Sequence, residues 1–466
     1  MSWRRFRLGT MCLVLVGMVV SVAHAQDDNQ TPLALAGVAV DATGVLKMQR
    51  VVDRGWTMTR KKIAEARSTL PADISKASDL RKISLNRLEA AVKALTSRGE
   101  KPTEEMLALA GLTRVKYVFY YPDTKDIVVA GPAQGWMVDP VGRIRGIESG
   151  APVVELQDLI VALRAYPPDG QTTSLISCSI DPTKQGLANM QAFLSRVGSQ
   201  LSPNAGLQQQ GQFIANGLRE SLGLQNITIH GVAANTHFAQ VLVEADYRMK
   251  LIGIGLEKPQ VKLVSYVEFA ARASSVSPNA MQRWWFVPDY ACVRVSDDNL
   301  GMELVGDGVK LVGADELVTS DGNRVKSDKG DKAGDNFVKG FTEKYADLAT
   351  KEPVYAQLRN LIDLSVAAAF IQDQDYYGKS GWKLGSFSDE SGLAVQTLNP
   401  PKQVESAVAS YVKGNRVMTP IGGGVRIEPK QALAGANLLT DEKGEVKAQR
   451  EKLSLSGLGE GQWWWD

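Results

Sequence analysis

Between Ser174 and Val305 the chain switches repeatedly between two hydrophobic periods, and that switching limits the folds open to it. Ser174–Ile180 and Asn226–Val232 have the β-branched character of strands. Lys184–Val197, Phe213–Leu222 and Thr236–Ile252 repeat apolar residues at threes and fours, the spacing of one helix face. Trp284–Val287, Ala291–Val295 and Met302–Val305 add three short strands, and Val261–Phe269 fits either state. Strands that alternate with helices and then run together predict a mixed α/β-sheet domain over 171–325, and the fold class α+β.

The flanks read differently. Residues 26–44 are small and polar, a flexible lead-in. Val45 to Leu109 reads as helical, with Leu80, Ile83, Leu85, Leu88, Val92 and Leu95 on one face and Gly99–Pro102 ending it. Val115–Tyr121 and Asp126–Ala130 flank the turn residues Pro122–Lys125 and predict a β-hairpin. Gly131–Gly150 is rich in Gly and Pro, and Glu155–Ala165 is a further helix. Together these make 26–170 a helical region plus hairpin. Asp321–Asn336 is charged and Gly-containing, a surface loop. Phe337, Phe341, Tyr345 and Leu348 then share a face. Pro353 suits the first turn of the next helix, carried on by Val354, Leu358, Leu361, Ile362, Val366 and Phe370. This predicts a C-terminal helical hairpin within 326–380. Residues 381–466 form an irregular region. From Gln431 it is polar except for Trp463–Trp465, and reads as a mobile tail.

The first 25 residues are a leader. Arg4, Arg5 and Arg7 form a basic start, Leu8–Val22 is uncharged and almost wholly apolar, and Ala23-His24-Ala25 offers the small-x-small pattern that signal peptidase cuts. The apolar core is shorter than the roughly 20 residues that span a bilayer. Cleavage is expected between Ala25 and Gln26, placing the mature chain in the periplasm or outside the cell with no remaining membrane span. Cys12 lies inside the apolar core with no small residue before it, unlike a lipoprotein signal. Arg4-Arg5 matches a twin-arginine signal only in part.

Removing the three leader arginines changes the net charge from +2 to −1. Such a chain has no global field to draw in nucleic acid. Cys178 and Cys292 remain. An exported protein can join them in a disulfide or bury them as free thiols. With no CxxC, two thiols make no cysteine-zinc site.

Catalytic constellations are sparse. On the Thr236–Ile252 helix, Phe238, Val241, Leu242, Ala245, Met249 and Ile252 make an apolar stripe. Glu244–Arg248 and Asp246–Lys250 pair at i,i+4 in the favourable order. His237 lies seven residues before Glu244, so a base oriented by Glu244 is conceivable, with Arg248 beside it. The alternative is a helix start and two solvated ion pairs. His230 and His237 with Glu244 would be the only histidine-based zinc set, but HExxH spacing is absent, and no metal or cofactor is expected. Gly378-Lys379-Ser380 imitates a Walker A ending, yet Asp373 replaces the first glycine and a helix precedes it. Gly253-Ile254-Gly255 and Gly422-Gly423-Gly424 lack a dinucleotide fingerprint's context, and no GxSxG elbow occurs. Asp297-Asp298 and Asp373/Asp375 have the residue type of a glycosidase pair. Asp328, Asp331 and Asp335 lack EF-hand spacing. Trp284 and Phe286 would share one strand face with Trp285 opposite. These, with Trp136, either line a groove or fill the core.

The segments VLVEADYRMKLIGIGLE (Val241–Glu257), GLTRVKYVFYYP and DIVVAGPAQGW (Gly111–Trp136), ISCSIDPT (Ile176–Thr183) and RWWF (Arg283–Phe286) resemble a family of exported planctomycete proteins. That family is catalogued as domain of unknown function fifteen-ninety-eight. The resemblance extends over roughly Gly111–Phe370. It implies export and brings no catalytic residues. The expectation is a non-enzymatic structural or interaction protein of the cell envelope, partnered by another envelope or extracellular protein. The alternative is a periplasmic hydrolase of glycan or peptide using His237, Glu244 or the aspartates.

Overall fold

The structure, a computed structural model, describes residues 33–170, 172–200, 207–272, 280–319, 321, 323–326, 331–409, 412–413, 416–417, 422–452, 455, 458–459 and 461–466. The leader, its cleavage site and Asp328 lie outside the described residues. Two mixed sheets and a middle layer of helices make up the fold, so the α and β content expected from the chain's two periods is present.

The larger sheet has nine strands. In spatial order they are Leu33–Val40, Val45–Asp53, Gln403–Glu405, Leu224–His230, Ile176–Asp181, Gly422–Ile427, Ala280–Pro288, Val309–Val318 and Arg324–Lys326. The second sheet has seven strands: Leu439–Thr440, Val293–Val295, Gly301–Leu304, Tyr117–Tyr121, Asp126–Ala133, Ser78–Ser84 and Trp464–Trp465. The expected hairpin is its centre, with Tyr121 opposite Asp126. Alternation divides that sheet's side chains. Val118, Tyr120, Ile127 and Val129 join the main core, whereas Tyr117, Phe119, Val128 and Ala130 pack with Val446 on the other face.

The middle layer contains Leu156–Ala165, His237–Gly253 and Pro353–Asp373. Thr236 caps the second of these by accepting from Ala239 N–H at 3.2 Å. This helix lies on strands Ile176–Asp181 and Gly422–Ile427 and packs against the other two helices. Gly253 makes one close approach possible, because a Cβ there would fall 2.1 Å from the Trp284 ring. Pro353–Asp373 is long and apolar enough to span a membrane, but 94% of its apolar window is buried inside the protein. Arg114–Asp363 at 2.8 Å and Asn360 Nδ2 donating to Thr113 O at 3.0 Å tie it to the chain entering the hairpin. One buried core runs continuously from Val38 and Leu46 to Val118 and Trp463.

Four expectations are corrected. Residues 33–53 form two paired strands instead of a flexible lead-in and a helix. Ser78–Ser84 is a strand that runs directly into the helix Leu85–Thr96, with Ser84 accepting from Arg87 N–H. The spaced leucines therefore straddle a strand–helix junction. The expected loop at 321–336 contains the strand Arg324–Lys326 and the start of the helix Lys332–Glu343, which Asp331 caps. The tail is docked: Trp464–Trp465 pairs with Ile83 and Lys82, and Trp463 is buried. Phe337, Phe341, Tyr345 and Leu348 are buried as expected, but Lys344 divides their helix into Lys332–Glu343 and Tyr345–Lys351 before Pro353 opens the next. Val261–Phe269 resolves in part into the helix Tyr266–Arg272.

Candidate functional site

The helix His237–Gly253 is buried on almost every side, so its charged residues meet partners from elsewhere instead of water. Glu244 and Arg248 keep their expected contact at 3.7 Å. Glu244 also accepts from Arg143, which donates to Gln357 Oε1 at 2.8 Å and Ala36 O at 2.6 Å. Arg248 donates to Glu257 at 2.6 Å and Glu352 at 2.8 Å. Burial alone would lower the pKa of Arg248, but the charge of Glu257 and its hydrogen bond hold it above the usual value. Asp246 and Lys250 pair at 2.8 Å, with Lys250 also donating to Ile180 O and Gly423 O. Burial pushes Asp246 up to about 6 despite Lys250. The expected solvated pairs are thus internal struts, where removing one partner costs far more than at a surface.

Glu244 does not orient His237. The partners of His237 come from the helix Leu156–Ala165 and its cap. Asp158 meets Nδ1 at 2.9 Å and Glu155 lies 3.8 Å from Nε2. Although burial opposes protonation, these two carboxylates raise His237 to about 10. His230 is exposed at the end of its strand and is not brought into this group.

A cavity of about 400 Å³ opens on the far side of Arg143. Its walls come from the helix Thr57–Thr69 with Trp56, from the small antiparallel pair Trp136–Val138 and Ile144–Gly146, and from the joint Lys351–Pro353. Ile63, Met137 and Ile147 give apolar wall. Five cations line it, Arg60, Arg143, Arg145, Arg248 and Lys351, against the three carboxylates of Asp139, Glu148 and Glu352. Arg143 and Arg248 are committed to the internal struts. Arg145 is not: its Nε donates to Gly150 O at 2.7 Å, and its one ion pair, with Asp139, is long at 3.7 Å. Burial lowers the pKa of Arg145, and neighbouring Arg143 adds to the effect while Asp139 opposes it. Arg60 and Lys351 stand exposed on the rim with no ion pair among the described residues. Trp56, 45% exposed at the mouth, has φ of 59°. A bulky side chain rarely occupies this left-handed region.

The remaining sequence candidates have structural places. Asp298 bonds Arg450 at 2.7 Å and accepts from Ser296 and Leu300, whereas Asp375 caps the short helix Tyr376–Ser380 that contains Gly378-Lys379-Ser380. Asp331, besides capping its helix, accepts from Tyr266 OH at 2.9 Å. Trp284 and Phe286 are fully buried, Trp136 is nearly so, and the ring of Trp285 faces the Arg283 guanidinium at 4.6 Å. Cys178, in a strand of the larger sheet, and Cys292, just before a strand of the second sheet, are buried free thiols, so the disulfide is not formed.

The protein these features define is a mixed α/β protein with a polar, cation-lined cavity. A family described as "Protein of unknown function (DUF1598)" matches residues 178–266, from the strand Ile176–Asp181 to the start of the helix Tyr266–Arg272. The stretch is narrower than the resemblance over Gly111–Phe370, and it includes His237, Glu244, Arg248 and Glu257. No curated protein and no solved structure matches the chain.

Proposed function

We propose that this is an exported, non-catalytic binding protein of the cell envelope whose cavity takes a small anionic group. That group is a carboxylate, phosphate or sulfate carried by an envelope or extracellular molecule. The observation that carries this reading is Arg145, a half-buried guanidinium on the cavity wall whose one ion pair among the described residues is 3.7 Å long and whose Nε donates to Gly150 O. A guanidinium partly withdrawn from water and without a close carboxylate gains from an anion that adds charge-assisted hydrogen bonds. Arg60 and Lys351 add charge at the rim, and Trp56 with Ile63 offers apolar contact to the rest of the ligand. The leader sequence supports the extracytoplasmic setting. The hydrolase alternative has less support, because His237 is absent from the cavity wall and Glu244 is tied to two arginines.

A thermal-shift series with the mature protein tests the proposal. Phosphate, sulfate and glucuronate at millimolar concentration are compared with chloride at equal ionic strength. At least one should raise the melting temperature by several degrees. A melting temperature that none of the three moves beyond the chloride control contradicts the cavity's role.

A further inference from the structure

Glu155, Asp158 and His237 form a second cluster outside the cavity. One ring nitrogen and one oxygen from each carboxylate all lie within 4.8 Å of one another. Glu155 is the N-cap and Asp158 lies in the first turn of one helix, and His237 opens another. The placement suits the carboxylates, since a helix N-terminus favours negative charge. It does not suit an imidazolium, which stands at the wrong end of its own helix.

Two carboxylates face one imidazole, and the charge of Arg143 also reaches His237. Gln157 Nε2 donates to Glu155 Oε2 at 2.6 Å, which orients that carboxylate while its other oxygen faces His237. Such support is typical of ligand carboxylates in metal sites.

We propose that Glu155, Asp158 and His237 hold a divalent first-row cation, zinc being the best match to one imidazole and two carboxylate donors. Three protein donors leave at least one coordination position for water or another ligand. Binding replaces the proton on the imidazole: the metal–nitrogen bond forms as the N–H bond breaks, and the proton leaves to solvent. A metal-bound imidazole nitrogen carries no proton, so binding should weaken as the solution is acidified.

The test is calorimetric titration of tag-free, metal-stripped mature protein with zinc chloride between pH 6.5 and 8.0, in two buffers of different ionisation enthalpy. The expected result is one zinc per chain and at least a tenfold loss of affinity in Asp158→Asn and Glu155→Gln. His230→Gln should bind as the unaltered protein does. Both carboxylate variants are near-isosteric and are checked by circular dichroism and cooperative melting; His237→Gln, if it folds, should lose the site as well. Absence of saturable one-to-one binding overturns the proposal, as does binding that survives both carboxylate substitutions or that depends on His230. The cavity reading is unaffected by either result, because none of the three residues lines it.

Discussion

At the scale of single residues the account turns on charges whose environments differ. Arg145 is half-buried with one long ion pair among the described residues. Replacing it by Met should therefore stabilise the ligand-free protein by about 1 kcal/mol while abolishing anion-induced stabilisation, the trade-off expected where a site is kept for binding. Chemical denaturation with and without phosphate reads both effects. His237 gives a pH signature. Its folded pKa is raised to about 10 from the ordinary 6.5. The stability it contributes is fully present below about pH 6.5 and is lost as pH climbs toward 10. From pH 7 to 9.5 the unfolding free energy of the metal-free protein should fall by about 3 kcal/mol more than in His237→Gln. Equal slopes for the two proteins would contradict the assigned partners. The sequence carried some of this: Glu244–Arg248 and Asp246–Lys250 were legible from their spacing on one helix. Asp158 for His237 and Arg143 for Glu244 were not, because those partners come from other elements far along the chain and no local pattern joins them.

At the scale of elements, legibility followed burial. The helix His237–Gly253 and the hairpin Tyr117–Tyr121 with Asp126–Ala133 have strong apolar periods and capping or turn residues, and both are present. Val45–Asp53 was hidden because most of its side chains are not buried and give no alternation. Ser78–Ser84 was hidden because its buried positions include the charged Arg81 and Lys82, one on each face. Arg81 explains the docked tail. Fully buried, it donates to the Asp466 carboxylate at 2.8 and 3.0 Å, and its guanidinium lies 4.6 Å from the Trp464 ring centre. Deleting residues 463–466 removes a buried tryptophan and the arginine's carboxylate, and should cost about 3–5 kcal/mol in urea unfolding. A loss below about 1 kcal/mol would mean the tail adds little. The Gly422–Ile427 strand has the opposite sensitivity. A Cβ at Gly423, where φ is 125°, would fall 1.8 Å from Trp284 O. Gly423→Ala should therefore destabilise by more than about 4 kcal/mol or prevent folding, read as loss of soluble protein or of cooperative melting. The triple glycine that resembles a nucleotide loop is instead what lets three strands lie side by side.

At the scale of the whole molecule, the two sheets draw strands from widely separated parts of the chain and share one buried core. Charge is concentrated in internal struts, consistent with the near-neutral balance of 53 basic and 51 acidic residues. Beside these struts Arg145, with one long ion pair among the described residues, faces the cavity, and this links architecture to the proposed binding role. The most direct test is calorimetric titration of the mature protein and Arg145→Met with whichever of phosphate, sulfate or glucuronate gives the largest thermal shift, at two salt concentrations. The account predicts one site per chain, binding that weakens as salt rises, and at least a tenfold loss of affinity in Arg145→Met. Binding that is unchanged in Arg145→Met would contradict it.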